Sequence, residues 1–206
     1  CYRQLYPAAV SDVLDQMGYE NNIVYGSIKR MIIGRGVLCG PAATIRGTGA
    51  WGPNLPERTD PNSSEPALIT FFKNLEQGQV AVFGTDIWDK VTVIGDVMST
   101  AMQSKGAVGA VVDGYIRDCD RIAVLEWPVY AKGIGVRAGG ARLSYLETDC
   151  PIQIGGGVLV RPWDIILGDR DGLVVIPKEK AEVIYEEAKK VCVSEAGFIE
   201  KLLKLR

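Results

Sequence analysis

The chain has 206 residues, 47% of them hydrophobic, and a formal net charge of -2 at pH 7. This length and composition predict one domain with a full hydrophobic core, and the near-neutral charge with scattered Lys and Arg argues against nucleic-acid binding. The sequence has no histidine. His general bases, Ser-His and Cys-His nucleophiles and His-ligated zinc are therefore excluded for the chain acting alone.

The sequence predicts a soluble protein in a reducing compartment. No apolar run approaches the roughly 20 residues needed to cross a bilayer, and no signal-peptide pattern is present. The cysteines are odd in number, widely spaced and free of any C-x-x-C pair, at positions 1, 39, 119, 150 and 192. Such usage is typical of proteins without structural disulfides. We therefore expect a cytoplasmic location and no membrane partner.

Helical and strand patterns alternate along the chain, which predicts an α/β fold. In the first half we expect a helix at 5–17 stopped by Gly18, a strand at 36–45 bent or broken at Gly40-Pro41 and ending at Arg46, a long Pro-rich loop at 47–66, a helix at 67–75 and a strand at 79–83. Loops of that length inside compact domains are usually either functional or disordered. We interpret the loop 47–66 as a lid.

The second half repeats the alternation and ends in a charged helix. We expect a helix from Gly95 to Ser104, a buried strand beginning at Ala107 and stopped by Asp113-Gly114, strands at 129–131, 158–160 and 173–176, a hairpin at 162–177, and a helix at about 178–205 that is broken or bent near Gly197.

Two polar pairs at the ends of the unit 95–118 are the candidate chemistry. Gly95-Asp96 introduces a helix, so Asp96 is either an ordinary cap or part of a site in which the amides of Val97 and Met98 bind an anionic oxygen. The two interpretations are compatible.

Arg117-Asp118 is the second pair, and it follows the buried strand. It is either a surface ion pair or a functional site. In the functional interpretation Arg117 offers a planar fork of donors to a carboxylate, and Asp118 offers oxygen ligands to a hard metal ion. Its position after a buried strand, at the edge where α/β proteins bind ligands, favours the functional interpretation.

The chain resembles the RraA-like family, which includes the 4-hydroxy-4-methyl-2-oxoglutarate and 4-carboxy-4-hydroxy-2-oxoadipate (HMG/CHA) aldolases. The most specific similarity is to the family signature, at Gly95, Asp96, Ala101, Gly106, Gly109, Val111, Asp113, Gly114, Arg117 and Asp118. The segments 5–18, 34–46 and 164–177 are similar to the family's opening helix, its G-x-a-x-T-v-R segment and its closing hairpin. Trp163 stands where the family usually has Gly.

The resemblance implies a fold and an activity. The fold would be an RraA-like layered β/β/α sandwich, with residues 1–206 forming a single domain. The activity would be that of a class II pyruvate aldolase that depends on a divalent metal, Mg²⁺ or Mn²⁺, and often also decarboxylates oxaloacetate. The substrate would be a small 2-oxo acid, and the assembly a homotrimer or a homohexamer with active sites at subunit interfaces.

The resemblance also implies roles for particular residues. Arg117 would bind the pyruvyl carboxylate and carbonyl oxygen, and Asp118 would ligate the metal. The segment from Gly95 through Val97 and Met98 would steady the enolate with its amides, while Asp96 would hold a water on the metal. Glu195, from the C-terminal helix of a neighbouring subunit, would approach the metal, through water.

Two alternatives remain at this stage. One is a non-catalytic regulator of the RraA type that binds a protein partner. The other is a metal-dependent lyase or hydrolase that acts on another keto acid. The family's non-catalytic members tend to lack the acidic residue that matches Asp118, so its presence favours an enzyme.

Overall fold

The protein is described by a computed structural model covering residues 2–24, 26–49, 65–86 and 91–205. The helices in these ranges are α1 (Pro7–Gln16), α2 (Ala67–Asn74), α3 (Asp96–Ser104), α4 (Cys119–Val124) and α5 (Ala181–Leu203). The strands are β1 (Ile23–Val24), β2 (Lys29–Ile32), β3 (Leu38–Gly49), β4 (Val80–Thr85), β5 (Val91–Ile94), β6 (Gly109–Ile116), β7 (Val129–Ile134), β8 (Arg137–Ala138), β9 (Leu143–Thr148), β10 (Ile152–Ile154), β11 (Val158–Val160), β12 (Ile165–Gly168) and β13 (Leu173–Ile176).

The main sheet is curled, and its centre is parallel. Strand β3 pairs in parallel with β4, β4 with β6, and β6 with both β5 and β7. Antiparallel pairing extends the sheet from β3 through β12, β13 and β1, and adds β9 to β3 and β2 to β7. All residues of β4 are buried, as expected for a parallel strand that is covered on both faces.

Three helices cover one face of the parallel strands. Helices α2, α3 and α4 place Phe71, Met102 and Ile122 in one hydrophobic cluster with Phe83 and Val112 of the sheet. Each of these five side chains is at most 3% exposed. This cluster fixes where α3 and α4 begin relative to the edge of the sheet.

Strands and terminal helices complete the layers. The antiparallel hairpin β10–β11 packs Ile152 against Val82 and Val111 on the other face of the sheet. Helices α1 and α5 contribute Leu14 and Ile184 to a third cluster, which includes residues of β12 and β13. The result is the single mixed α/β domain expected from the sequence. Within the described ranges, no helix is both long and apolar enough to cross a membrane.

Helix α1 ends before Gly18 as the sequence predicts, but it begins at Pro7, two residues after the predicted start. Pro7 occupies the first turn, where its missing N–H costs no hydrogen bond. Gly18 follows the C-cap with φ +80°. This left-handed conformation favours glycine, and it ends the helix.

Strand β3 is continuous, so the break predicted at Gly40-Pro41 is wrong. Pro41 pairs with Ile165 of β12, and the strand extends beyond Arg46 to Gly49. The reason for Gly40 is space, because a Cβ at this position would overlap the carbonyl oxygen of Gly78. Close packing against the turn before β4, rather than a bend, accounts for the glycine.

Strand β6 also continues through its predicted stop. It passes Asp113-Gly114 and ends at Ile116, and its register with β7 shifts between Val112 and Tyr115. The Asp-Gly pair therefore marks an irregularity within the strand. Arg117 follows the strand directly.

The C-terminal helix has no break at Gly197. Helix α5 runs without interruption through Gly197, so the predicted break is wrong. In the predicted loop 47–66, residues 47–49 belong to β3 and residues 50–64 lie outside the described ranges. The interpretation of this loop as a lid stays a prediction.

The predicted hairpin at 162–177 is present as β12 and β13, which pair antiparallel. Asp164 is 1% exposed and accepts hydrogen bonds from the amides of Arg161 (2.8 Å) and Lys178 (3.1 Å). It thereby joins the two ends of the hairpin. Trp163 has φ +74°, a conformation that favours glycine. This φ fits the glycine that the family resemblance leads us to expect at this position.

We predict that Gly40→Ala destabilises the fold by about 1–3 kcal/mol, because the added methyl group must displace the backbone at Gly78. Chemical denaturation measures the change in the free energy of unfolding. Gly172→Ala is the matched control, since a Cβ there meets no atom within 4 Å. Equal stability of the two variants would contradict the packing role of Gly40.

Candidate active site

The candidate site lies where two neighbouring parallel strands end. Strands β5 and β6 pair with Ile94 opposite Ile116, so the residues after them meet at one edge of the sheet. This is the edge where α/β proteins usually bind ligands. The amide of Arg117 donates a hydrogen bond of 3.2 Å to the carbonyl oxygen of Ile94. Gly95-Asp96 and Arg117-Asp118 are thereby brought side by side.

Asp118 has an unusual backbone conformation at this edge. Its φ of 59° and ψ of 35° lie in the left-handed region, which few residues other than glycine adopt. Its carboxylate reaches Gly95, because a Cβ on Gly95 would lie 2.5 Å from Asp118 Oδ2. Gly95 itself is extended, with φ -134°. A side chain at position 95 would therefore displace the Asp118 carboxylate from its present position.

Two arginine–aspartate pairs form the charged surface of the site. Arg117 Nε lies 3.3 Å from Asp118 Oδ2, and Arg121 Nη1 lies 3.1 Å from Asp96 Oδ2. The amide of Asp96 makes a long contact of 3.4 Å with Asp118 Oδ2, which joins the two pairs. The side chains of Arg117 and Asp118 are 41% and 33% exposed. Both are within reach of a small molecule from solvent.

Arg121 is the site residue that the sequence interpretation missed. It lies in α4, shortly after the Arg117-Asp118 pair. This nearness in sequence is the feature from which its place in the site could have been predicted. Its hydrogen bond is the main cause that holds the pKa of the Asp96 carboxyl below its ordinary value. Asp96 is therefore kept ionised beside Asp118.

The first turn of α3 carries the predicted amide donors. The amide of Val97 donates a hydrogen bond of 2.8 Å to Asp96 Oδ1, so the capping interpretation of Asp96 has an observed partner. Met98 packs partly against the hydrophobic cluster under the helices. Both residues lie next to Gly95. Their amides as ligands of a substrate oxygen stay a prediction.

Glu195 lies apart from this group. It is exposed on α5, and that helix packs against α1. Among the described residues, no hydrogen bond or ion pair joins Glu195 to Asp96, Arg117 or Asp118. Within one chain, Glu195 therefore does not contact the candidate site. A contribution from Glu195 would require a second subunit.

The oxygen ligands of the site fit a hard divalent cation. In the described part of the chain, no group of three or more His, Cys, Asp and Glu side chains is arranged around one point. Mg²⁺, however, is usually held by one or two carboxylates with waters completing its shell. The contacts of Asp118 Oδ2, at 3.3 and 3.4 Å, are longer than a good charge-assisted hydrogen bond. This oxygen is therefore available to a cation.

Residues 7–175 match the RraA-like family, Aldolase/RraA. The chain belongs to this family. It is 31% identical over 189 residues to a Halalkalibacterium halodurans protein provisionally named a 4-hydroxy-4-methyl-2-oxoglutarate aldolase, over 92% of this chain and 80% of that one. It is 29% identical over 177 residues to protein DlpA of Legionella pneumophila. That match covers 86% of this chain but 27% of DlpA.

A solved structure of an RraA protein has the same fold. Streptomyces coelicolor RraAS2, an unusual member of the RNase ES inhibitor RraA protein family, superposes with a TM-score of 0.78 at 25% identity. The match covers 99% of this chain and 93% of RraAS2. The RraA-like family thus includes similar proteins with an aldolase name and with an inhibitor name. The site geometry has to distinguish these functions.

We predict that Arg121→Ala raises the pKa of Asp96 toward the ordinary value of an aspartate, because the hydrogen bond that favours the ionised form is removed. Carboxyl ¹³C NMR titration measures this pKa. Arg142→Ala is the control, because Arg142 is an exposed arginine outside the group. An unchanged Asp96 titration in the Arg121 variant would contradict the assigned pair.

Proposed function

We propose that this RraA-like protein is a divalent-metal-dependent pyruvate aldolase of the HMG/CHA type, which cleaves a 4-hydroxy-2-oxo acid to pyruvate and also decarboxylates oxaloacetate. The carrying observation is the placement of Arg117 and Asp118 against Gly95 at the start of α3. The similarity to the H. halodurans protein supports the substrate class.

Asp118 would hold the metal, and Arg117 would bind the substrate. Mg²⁺ or Mn²⁺ in such a site supplies Lewis-acid stabilisation of charge that develops on a carbonyl oxygen. Arg117 offers its planar fork to the carboxylate of the pyruvyl group, and its positive charge favours electron density on the neighbouring oxygen. The amides of Val97 and Met98 at the start of α3 would add weaker donors, and the Val97 amide would then exchange its bond to Asp96 Oδ1 for the substrate oxygen.

Asp96 would position the proton carrier. Its carboxylate is kept ionised by Arg121 and is therefore an acceptor that can orient a water beside the substrate. In the retro-aldol step the C4 hydroxyl loses its proton and the bond between C3 and C4 breaks. The electron pair passes to C3 and the C2 carbonyl as an enolate, and protonation of C3 then gives pyruvate. Without histidine, an oriented water is the proton carrier that this chain can provide.

A regulator that binds a protein partner is the second candidate. The similarity to RraAS2 supports it. The presence of Asp118 beside Arg117 favours catalysis, because the non-catalytic members of the family tend to lack the matching acidic residue. A metal-dependent lyase or hydrolase that acts on another keto acid would use the same residues. Such an enzyme would release no pyruvate.

The compartment is a further part of the proposal. Among the described residues, Cys39, Cys119 and Cys192 are free thiols. Free thiols fit a reducing compartment such as the cytoplasm.

A pyruvate-release assay tests the proposed reaction. The protein is given oxaloacetate and a panel of 4-hydroxy-2-oxo acids, with Mg²⁺, with Mn²⁺ or with EDTA. We expect pyruvate from at least one substrate and loss of turnover in EDTA. No pyruvate with either metal would overturn the aldolase assignment, and full activity in EDTA would overturn the metal requirement.

We predict that Asp118→Asn keeps the fold and abolishes turnover, because the amide is a poor ligand for a hard cation in a site that has so few carboxylates. Pyruvate release measures turnover, and circular dichroism checks the fold. Asp120→Asn is the matched control, since Asp120 is an exposed acid two positions further on in α4. Loss of activity in both variants, or in neither, would argue against the specific role of Asp118.

We predict that Arg117→Lys lowers kcat/KM by about tenfold or more, because each charge-assisted hydrogen bond contributes about 1.5–3 kcal/mol and lysine lacks the planar fork. The melting temperature should change little, since the Arg117 side chain is 41% exposed. Arg170→Lys, in the turn between β12 and β13, is the control. An early-melting Arg117 variant with full specific activity would show a structural role.

We predict that a neighbouring subunit completes the site through Glu195. If so, Asp118→Asn and Glu195→Gln chains, each inactive alone, should recover activity when they are refolded together. In a randomly mixed ring about a quarter of the interfaces carry both intact residues. Native mass spectrometry confirms mixing, and each variant refolded alone is the control. Confirmed mixed assemblies without turnover would refute the shared site, as would unaltered kinetics of Glu195→Gln.

A further inference from the structure

A second polar cavity opens on the face of the sheet that the β10–β11 hairpin covers. Its volume is about 830 Å³, within the range of roughly 300–1,000 Å³ that is typical of small-molecule sites. The wall includes Arg46, Thr48, Asp113, Lys132, Gln153 and Leu159. None of Gly95, Asp96, Arg117 and Asp118 lines it. The cavity is therefore separate from the candidate active site.

The wall contains a buried carboxylate, one oxygen of which has no hydrogen-bond partner among the described residues. The Asp113 side chain is 9% exposed, and its Oδ1 lies 2.7 Å from Lys132 Nζ. This contact compensates the charge but lies outside hydrogen-bond geometry, and Oδ1 has no hydrogen-bond partner among the described residues. A buried acceptor without a donor is unfavourable. A ligand that donates a hydrogen bond to this carboxylate would remove that cost.

Lys132 places donors next to this acceptor. Its side chain is 31% exposed, and an ammonium group carries three donors, which the Asp113 contact does not exhaust. Donor and acceptor thus stand side by side on the cavity wall. A hydroxyl group matches this arrangement because it donates and accepts through one oxygen.

Both described positive charges of the cavity wall are in ion pairs. Lys132 is paired with Asp113, and Arg46 is paired with Glu147. Asp86 accepts hydrogen bonds of 3.0 Å from the Thr48 hydroxyl and from the amide of Gly49. Among the described residues of the wall, no unpaired positive charge is left to favour an anion, and Asp86 adds a carboxylate. This arrangement fits a neutral ligand.

Apolar groups supply the other part of the wall. Leu146, Pro151, Ile152 and Leu159 line the cavity together with its polar residues. A molecule with C–H faces and several hydroxyl groups contacts both kinds of surface. We propose that this cavity is a binding site for a small neutral polyhydroxylated ligand, such as a monosaccharide or cyclitol, with its hydroxyl groups on Asp113 and Lys132. This site is independent of the proposed aldolase reaction.

Calorimetric titration of the full chain tests the site with D-glucose and myo-inositol as neutral probes. D-gluconate is the anionic comparison, and cyclohexanol is a ring with one hydroxyl group. We expect at least one neutral probe to bind with a Kd on the order of 1 mM. D-gluconate and cyclohexanol should bind at least tenfold more weakly. Absence of binding by both neutral probes, or equal or tighter binding of either comparison compound, overturns the proposal.

Two variants locate the binding. Leu159→Trp fills the cavity without touching the ion pair, and Asp113→Asn removes the charged acceptor. Each should weaken binding of the neutral probe at least tenfold. Val136→Trp, at a 93% exposed position outside the cavity wall, is the matched control and should bind as the unaltered protein does. Should Asp113→Asn fail to fold, Leu159→Trp decides, and its unchanged affinity overturns the site.

The Asp118→Asn protein separates this site from the aldolase proposal. It should bind the neutral probe with unchanged affinity even though it is expected to lose turnover. Loss of probe binding in Asp118→Asn would place the ligand in the candidate active site and overturn the second site. Failure of the pyruvate-release assay leaves the titration result and its interpretation intact.

Discussion

The parallel pairing of β5 with β6 is the constraint on which the candidate active site depends. It places the ends of both strands at one edge, and the hydrogen bond from Arg117 to Ile94 holds the two following segments together. Residues separated by a helix and a strand in sequence thereby become neighbours. Backbone pairing therefore sets the positions of the charged residues of the site. The flexible arginine side chains then form the ion pairs.

The backbone conformation of Asp118 brings its side chain close to Gly95 at this edge. The left-handed conformation of Asp118 directs its carboxylate to the position that a Cβ on residue 95 would occupy. Non-glycine residues adopt such conformations where the surrounding structure imposes them, often at functional sites. Here the helices α3 and α4 are anchored by Met102 and Ile122 in a fully buried cluster. Packing energy from that cluster supports the strained residue.

Helix α5 leaves apolar surface exposed in one chain. Several large apolar side chains of α5 are half or more exposed, namely Val183, Val193, Phe198, Ile199 and Leu203. Exposed apolar surface of this kind is typical of protein interfaces. The same helix carries Glu195, which no contact in one chain brings to the site. A subunit interface would cover the apolar surface and supply this carboxylate together.

The sequence by itself determined the family, the α/β alternation and the local motif, because these depend on short-range patterns of apolar residues, glycines and charges. Gly18 is such a case, since its left-handed conformation ends α1 locally. Only the tertiary structure showed which glycines are needed because neighbouring atoms leave no room for a side chain. Gly40 and Gly114 lie inside continuous strands because a neighbouring carbonyl oxygen or a valine side chain leaves no room for a Cβ.

Other features also required the folded chain. Gly197 does not break α5, since a glycine costs about 1 kcal/mol in a helix and the long flanking segments outweigh it. Arg121 was not identified from the sequence because its role depends on its distance to Asp96 across the gap between α3 and α4. The pair Asp113 and Lys132 joins neighbouring strands around a cavity. Sequence patterns predict elements, whereas contacts between distant elements depend on register and packing, and these exist only in the folded chain.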